Sequence, residues 1–443
     1  MSVSTTTVPP VITVWGDDGT GTDCGLFSNQ ACEQMGVSTA TAITFDKIRE
    51  FGKAAYGECA ITKPAAGTFA VVSVLNIGST TASTTYVAAS SSAIDFGFQV
   101  NMFASSTFIA GDVTATGSPF AGATLSFSGG DAFATSSTDF ASSTRGELKT
   151  YANASTTRPE IPDAKLQLFD SIVFHKSPGS SSNAVKLVFD GQLEARRTSF
   201  ENWFEIQLNN ATNTVSDVVF TNMTRGFYPS RAQSGSTTFE TIKSRKLTET
   251  GLYATGTVSF TVTDLVIDEA DDFDIRFFDY DATTTVINST INTARLDFEG
   301  TGAGGLERAF TVDLKIVDAN NAAISGAQVV LTDNSGTELF DITTTSDGVV
   351  AQQTVTADFF NYPNPTGVSL NTHTLSVTAP VGSGLNDSTQ TLDIQAAQNF
   401  SVVLSSSCDP DGLTPAFPMS VSTTTVPPVI TVWGDDGTGT DCG

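Results

Sequence analysis

Four words between residues 198 and 300 decide the fold: TSFEN at Thr198–Asn202, VVFTN at Val218–Asn222, VSFTV at Val258–Val262 and LDFEG at Leu296–Gly300. Their phenylalanines belong to a longer series, Phe200, Phe220, Phe239, Phe260, Phe278 and Phe298, spaced by 20, 19, 21, 18 and 20 residues. Each word reads as a short strand with an inward aromatic, followed by a polar turn. One such coil cannot bury its own apolar face, so neighbours must stack, and a column of phenylalanines is expected along the stack. A Greek-key β-sandwich remains the alternative for this core.

With that series, residues 164–300 resemble a right-handed parallel β-helix, and the pattern is expected to reach back to about residue 90. Phe69–Ile77, Phe96–Phe103 and Ala123–Gly129 are apolar runs between Ser/Thr/Gly clusters, and none of them has a helical period. The resemblance implies a surface or virion structural protein, or else a polysaccharide lyase or depolymerase.

Downstream, Phe310, Val312, Leu314 and Ile316 alternate with Thr311, Asp313 and Lys315, the period of a half-buried strand. Further strands are expected at 327–331, 338–343, 349–355, 374–377, 389–394 and 400–404, a spacing that suits an immunoglobulin-like sandwich over 306–405. Within it, Val317–Val350 carries Ile324, Gly326, Ala327 and Val329 before Ser346-Asp347-Gly348. This piece resembles the carboxypeptidase regulatory-like, transthyretin-like family, with Ser346 in place of the usual Thr. The resemblance implies a non-catalytic spacer or adhesion module.

Upstream, Ala42–Glu58 is the one good helix, with Thr44 as its cap and Ile48, Phe51 and Ala55 as its stripe. The fold class expected is therefore all-β: a parallel β-helix or sandwich core, an Ig-like sandwich and one short N-terminal helix.

Residues 1–25 recur without change at 419–443. Each copy holds Val11-Ile12-Thr13-Val14-Trp15 or its equivalent, a β-branched strand between a Thr/Pro arm and a turn-rich loop. Three origins stay open: a period of a tandem array, the next subunit's N-terminus appended to this one, or a circular template. A detachable strand suits β-strand addition between subunits, which also covers an edge that would otherwise aggregate. The chain thus divides into an arm (1–25), a small mixed module (26–70), a β-rich core (71–305), a sandwich (306–405), a linker (406–418) and the repeated arm (419–443).

Composition removes several functions. Lys and Arg number 21 against 47 Asp and Glu, a net charge of −26 that opposes binding to nucleic-acid phosphates. No apolar run is long enough to span a bilayer. Only two His leave little room for a histidine triad or a His-rich metal site. The N-terminus lacks a basic, apolar leader.

Discounting Cys442 as a copy, the cysteines are Cys24, Cys32, Cys59 and Cys408, which permit three disulfide pairings or a set of buried thiols. Asp17, Asp18 and Asp23, and separately Asp409 and Asp411, sit around glycine turns and suggest calcium as the one cofactor. In the acidic run Asp268–Asp281, an extended backbone puts Asp272, Asp274 and Arg276 on one face. Neighbouring carboxylates there would stand about 6.5–7 Å apart, close to the separation inverting glycosidases use. The expected role is a non-enzymatic, self-assembling subunit of an extracellular filament, surface layer or virion appendage. Its partner would be itself, with the N-terminal strand shared between copies. The alternative is a glycan-binding or glycan-cleaving β-helix.

Overall fold

A computed structural model describes residues 165–175, 186–189, 192–208, 213–229, 238–257, 259–362 and 364–406. It also describes shorter pieces at 11–14, 43–46, 48–49, 61–71, 74–77, 85–88, 93–96, 100–102, 106–110, 124–127, 148–150, 420–422 and 429–431. The chain divides into two compact units, residues 1–309 with 358–369, and residues 310–357 with 370–443.

The first unit is a β-solenoid of three strand columns, each paired in parallel from coil to coil. One column runs through Thr68–Val71, Ala93–Phe96, Thr124–Phe127, Ile172–His175 and Ser199–Glu201, then residues 219–221, residues 243–247 and Val266–Ala270. A second runs from Val11–Val14 through Val74–Ile77, Val100–Met102, Leu148–Thr150, Lys186–Phe189 and Glu205–Leu208 to Phe273–Tyr280 and Leu296–Glu299. The third links Ile43–Thr44, Thr85–Ala88, Ser106–Ala110, Lys165–Phe169 and Gln192–Arg196 to Phe260–Thr263, Thr283–Ile287 and residues 305–309. Thr214–Pro229 and Thr238–Gly256 are long enough to pass through all three columns as single bent strands. In-register parallel pairing sets inward positions above inward positions, which form one continuous apolar core.

The bends come from residues in the left-handed region. Asp170, Arg197, Asp217, Thr241, Asp264 and Asn288 all have φ between 50° and 55°. Each precedes the same three-residue step into the core, ending at Val173, Phe200, Phe220, Ser244, Ile267 and Ile291. Asp and Asn tolerate this conformation best among residues with a Cβ. Backbone hydrogen bonds tie the corner of one coil to the next, as from Asp170 N to Arg196 O and from Arg197 N to Ser216 O.

The phenylalanine column is only partly as expected. Phe200 and Phe220 are paired, with ring centroids 5.6 Å apart. Phe220, however, pairs with Ser244, while Phe239 pairs with Val215 and Val262 in the third column. The next expected member, Phe278, is exposed; its neighbour Phe277 is buried and stacks on Phe298 at 4.9 Å. Coil length varies, so a constant spacing of phenylalanines drifts between columns while the corner residues keep the register.

Of the expected N-terminal helix, residues 45–46 and 48–49 are helical and the remainder lies outside the described residues. Thr44 belongs to the strand Ile43–Thr44. Phe45, not part of the expected stripe, is buried with Ile48 and meets Phe69, Phe96 and Phe108 at 5.9–6.0 Å. At the other end of the columns, Asp358–Ser369 belongs to the solenoid unit: Phe360 joins its core, and Arg308 pairs with Asp358. Gly302 and Gly304 lie against the backbone of Tyr280 and Ala282, where an added Cβ would stand 2.3 Å from a carbonyl oxygen.

The second unit has its own core and a four-stranded antiparallel sheet, ordered Glu338–Thr343, Gln328–Thr332, His373–Thr378, Ser388–Leu392. Residues 312–318 pair in parallel with Gln398–Leu404. Val312, Leu314 and Ile316 are buried, as their alternation requires.

Candidate functional site

The densest chemistry in the solenoid lies on the outward face of the second column. Strand alternation turns Ile206, Phe227, Leu252, Ile275 and Phe277 into the core. The register then stacks Tyr228, Tyr253, Arg276 and Asp297 on the opposite face, with Tyr253 beside Arg276 and Arg276 beside Asp297.

Charges alternate along this face. Arg225 donates from Nε to Glu249 at 2.8 Å and lies 3.4 Å from the fully buried Glu205. Arg276 donates to Glu249 at 2.8 Å, lies 3.1 Å from Asp297 and also pairs with Glu299. The Arg225 guanidinium sits 4.4 Å from the Tyr253 ring centre and 5.2 Å from that of Phe204. Tyr228 meets Tyr253 edge to face at 4.9 Å, and its hydroxyl lies 3.1 Å from Thr255 Oγ1.

Burial opposes the charge on both arginines, but the Glu249 hydrogen bond and carboxylates around Arg225, and Glu299 with its neighbours around Arg276, outweigh it and raise their pKa. Burial raises the Tyr253 phenol, against the lowering effect of Arg225. Burial likewise raises Asp297, partly offset by Arg276. The guanidinium groups thus stay charged, and the ladder cross-braces successive coils while leaving part of Tyr228 and the Glu299 carboxylate at the surface.

The acidic residues singled out from sequence are separated by the fold. Phe273–Tyr280 starts after Asp272, which is exposed on the preceding bend. Asp274 is buried, accepts from Asn292 N at 2.6 Å and lies 3.4 Å from Arg295 Nε. It anchors the loop that carries Thr293–Arg295. Burial raises its pKa despite the Asn292 hydrogen bond and Arg295. Arg276 belongs to the ladder. The ladder partners Glu205, Arg225, Glu249, Asp297 and Glu299 were not anticipated. Their signal was an alternation of charge sign at the length of one coil, as in the 24 residues from Arg225 to Glu249.

Val11–Val14 forms the outermost described strand of the second column, in the register Val11↔Val74, Ile12↔Leu75, Thr13↔Asn76, Val14↔Ile77. In the second copy of the same sequence, Val429–Thr431 pairs antiparallel with Ser420–Ser422. Trp15, the cysteines Cys24, Cys32, Cys59 and Cys408, and the calcium candidates Asp17, Asp18, Asp23, Asp409 and Asp411 lie outside the described residues. Among the described residues, no group of three or more His, Cys, Asp or Glu is placed to hold a metal ion, and no helix is long and apolar enough to cross a membrane.

No protein-family model matches the chain, and no curated protein sequence matches it.

Proposed function

We propose that this chain is a non-enzymatic structural subunit of an extracellular assembly, a filament, surface layer or virion appendage. Neighbouring copies would be joined through the strand carried in the repeated arm. One observation supports the reading above the others: the same residues are a solenoid rung at Val11–Val14 and an antiparallel pair at Val429–Thr431. A sequence that serves two pairings is suited to moving between them. The solenoid supplies a stiff hydrogen-bonded core, and the second unit a separate sandwich-like body of the spacer or adhesion type. Negative-stain electron microscopy with light scattering tests this. Regular fibres or sheets are expected from the full chain, and a folded, non-assembling protein once residues 1–25 and 419–443 are both removed. Unchanged assembly after that double removal would overturn strand sharing.

A second reading rests on the half-buried Tyr228 and the Asp297 and Glu299 carboxylates of the second column. A tyrosine edge beside carboxylates suits sugar hydroxyls and ring faces, which would make this face a glycan-binding surface. A glycan screen that returns no ligand would sink it.

A further inference from the structure

We infer that the place beside Val74–Ile77 is a docking slot for Val429–Thr431 of a second copy of this chain, taken up in exchange for Val11–Val14. The inference rests on the assembly reading above and gives it a donor, an acceptor and a direction.

The acceptor is defined by register. Val74–Ile77 receives a parallel strand on one side and Val100–Met102 on the other, and Leu75 and Val100 are both fully buried. Val429, Ile430 and Thr431 repeat Val11, Ile12 and Thr13, so they meet Val74, Leu75 and Asn76 with the same hydrogen bonds and side chains. What the donor gives up is small. Its pairing with Ser420–Ser422 spans three residue pairs in a two-stranded sheet, a size that is marginal in water.

In the slot the same residues extend a column of stacked strands. The contact is heterologous, since a C-terminal segment meets an N-terminal column, and such contacts propagate into open chains unless rotation closes a ring. Val11–Val14 competes from within the same molecule, joined to Val74–Ile77 through residues 15–73, so its return to the slot is intramolecular. Exchange is therefore slow until the resident strand is weakened.

Paired proline substitutions separate donor from resident. Adjacent residues in a strand point their N–H groups to opposite sides, so two successive prolines must remove a ladder bond. Ile12→Pro with Thr13→Pro is expected to lower the concentration needed for assembly at least tenfold, read by light scattering. Ile430→Pro with Thr431→Pro is expected to leave monomers at every concentration. With all four substitutions, the full chain should stay monomeric yet bind a fluorescent peptide of residues 426–437, one per chain. The parent chain should take up that peptide slowly, by exchange.

Assembly that survives Ile430→Pro/Thr431→Pro would overturn the donor while leaving assembly intact. An Ile12→Pro/Thr13→Pro chain that remains monomeric while the parent assembles would overturn the exchange. Peptide uptake by neither the fourfold variant nor the parent would overturn the slot. A parent that never assembles, at any concentration, would overturn the assembly reading together with this one.

Discussion

In the second unit, Gln328–Thr332 finds an antiparallel partner in Glu338–Thr343, just across a turn; in the solenoid, Phe200 finds its partner only a full coil later, at Phe220. Local pairing fixes which face of each strand is wet, so burial alternates cleanly in residues 328–332. Coil-to-coil pairing fixes something else. The residue above must face the same way, inward or outward, and the loop between can vary in length. The solenoid therefore reads poorly along the chain and well across it, through the φ-positive corners at Asp170, Arg197, Asp217, Thr241, Asp264 and Asn288.

This contrast can be broken most forcefully at Trp203. Its ring is fully buried in the solenoid core, and its indole N–H donates to Val173 O of the coil below at 3.1 Å. Trp203→Ala should cost about 3–5 kcal/mol, read as a lower urea midpoint, with the loss concentrated in hydrogen-exchange protection of residues 172–175 and 199–208. Equal loss of protection in the four-stranded sheet of the second unit would show that the two cores do not unfold separately.

The matching change in the second unit is Leu331→Ala, at a fully buried position of one of the two inner strands of the sheet. A cost of about 2–5 kcal/mol is expected, and here the protection lost should be that of residues 328–343 and 373–378. Phe278→Ala sharpens the reading of the solenoid itself. Phe278 is 37% exposed while Phe277 beside it is 2% exposed. The Phe278 substitution should stay within about 0.5 kcal/mol, as surface changes do, whereas Phe277→Ala should cost several times more. Similar costs for both would return Phe278 to the core and restore the constant phenylalanine period.

The smallest expected effect is a pH dependence confined to the second unit. His373 is fully buried, and burial lowers its pKa below the ordinary value, against small raising contributions from Thr356, Asp333 and Asp393. The unfolded chain takes up its proton near pH 6.5; the folded one does so only at lower pH. Stability is therefore whole above pH 6.5 and declines as pH falls from there toward the folded value. His373→Gln should flatten that slope in urea titrations between pH 7 and 5. An unchanged slope would place the proton elsewhere.

Local pattern was enough to read the all-β class, a stacked-coil core with an aromatic interior, and the strands expected at 327–331, 338–343, 374–377, 389–394 and 400–404 within two residues, but Val349–Asn361 runs six residues past its expected end and Asn364–Ser369 was not expected. Each feature so read depends on near neighbours: alternation sets a face, and a β-branched run between turns sets a strand. It was not enough for the ladder of Glu205, Arg225, Glu249, Arg276 and Asp297, nor for the separation of Asp272 from Asp274. Those depend on which residues a coil of variable length lays above one another, and only the closed set of parallel pairings decides that. The two copies of the repeated arm make the same point most plainly. Their sequence is identical, yet Val11–Val14 is a parallel rung and Val429–Thr431 an antiparallel partner. A strand of this kind carries its own extended geometry, while its hydrogen-bonding partner comes from whatever edge the folded chain brings beside it.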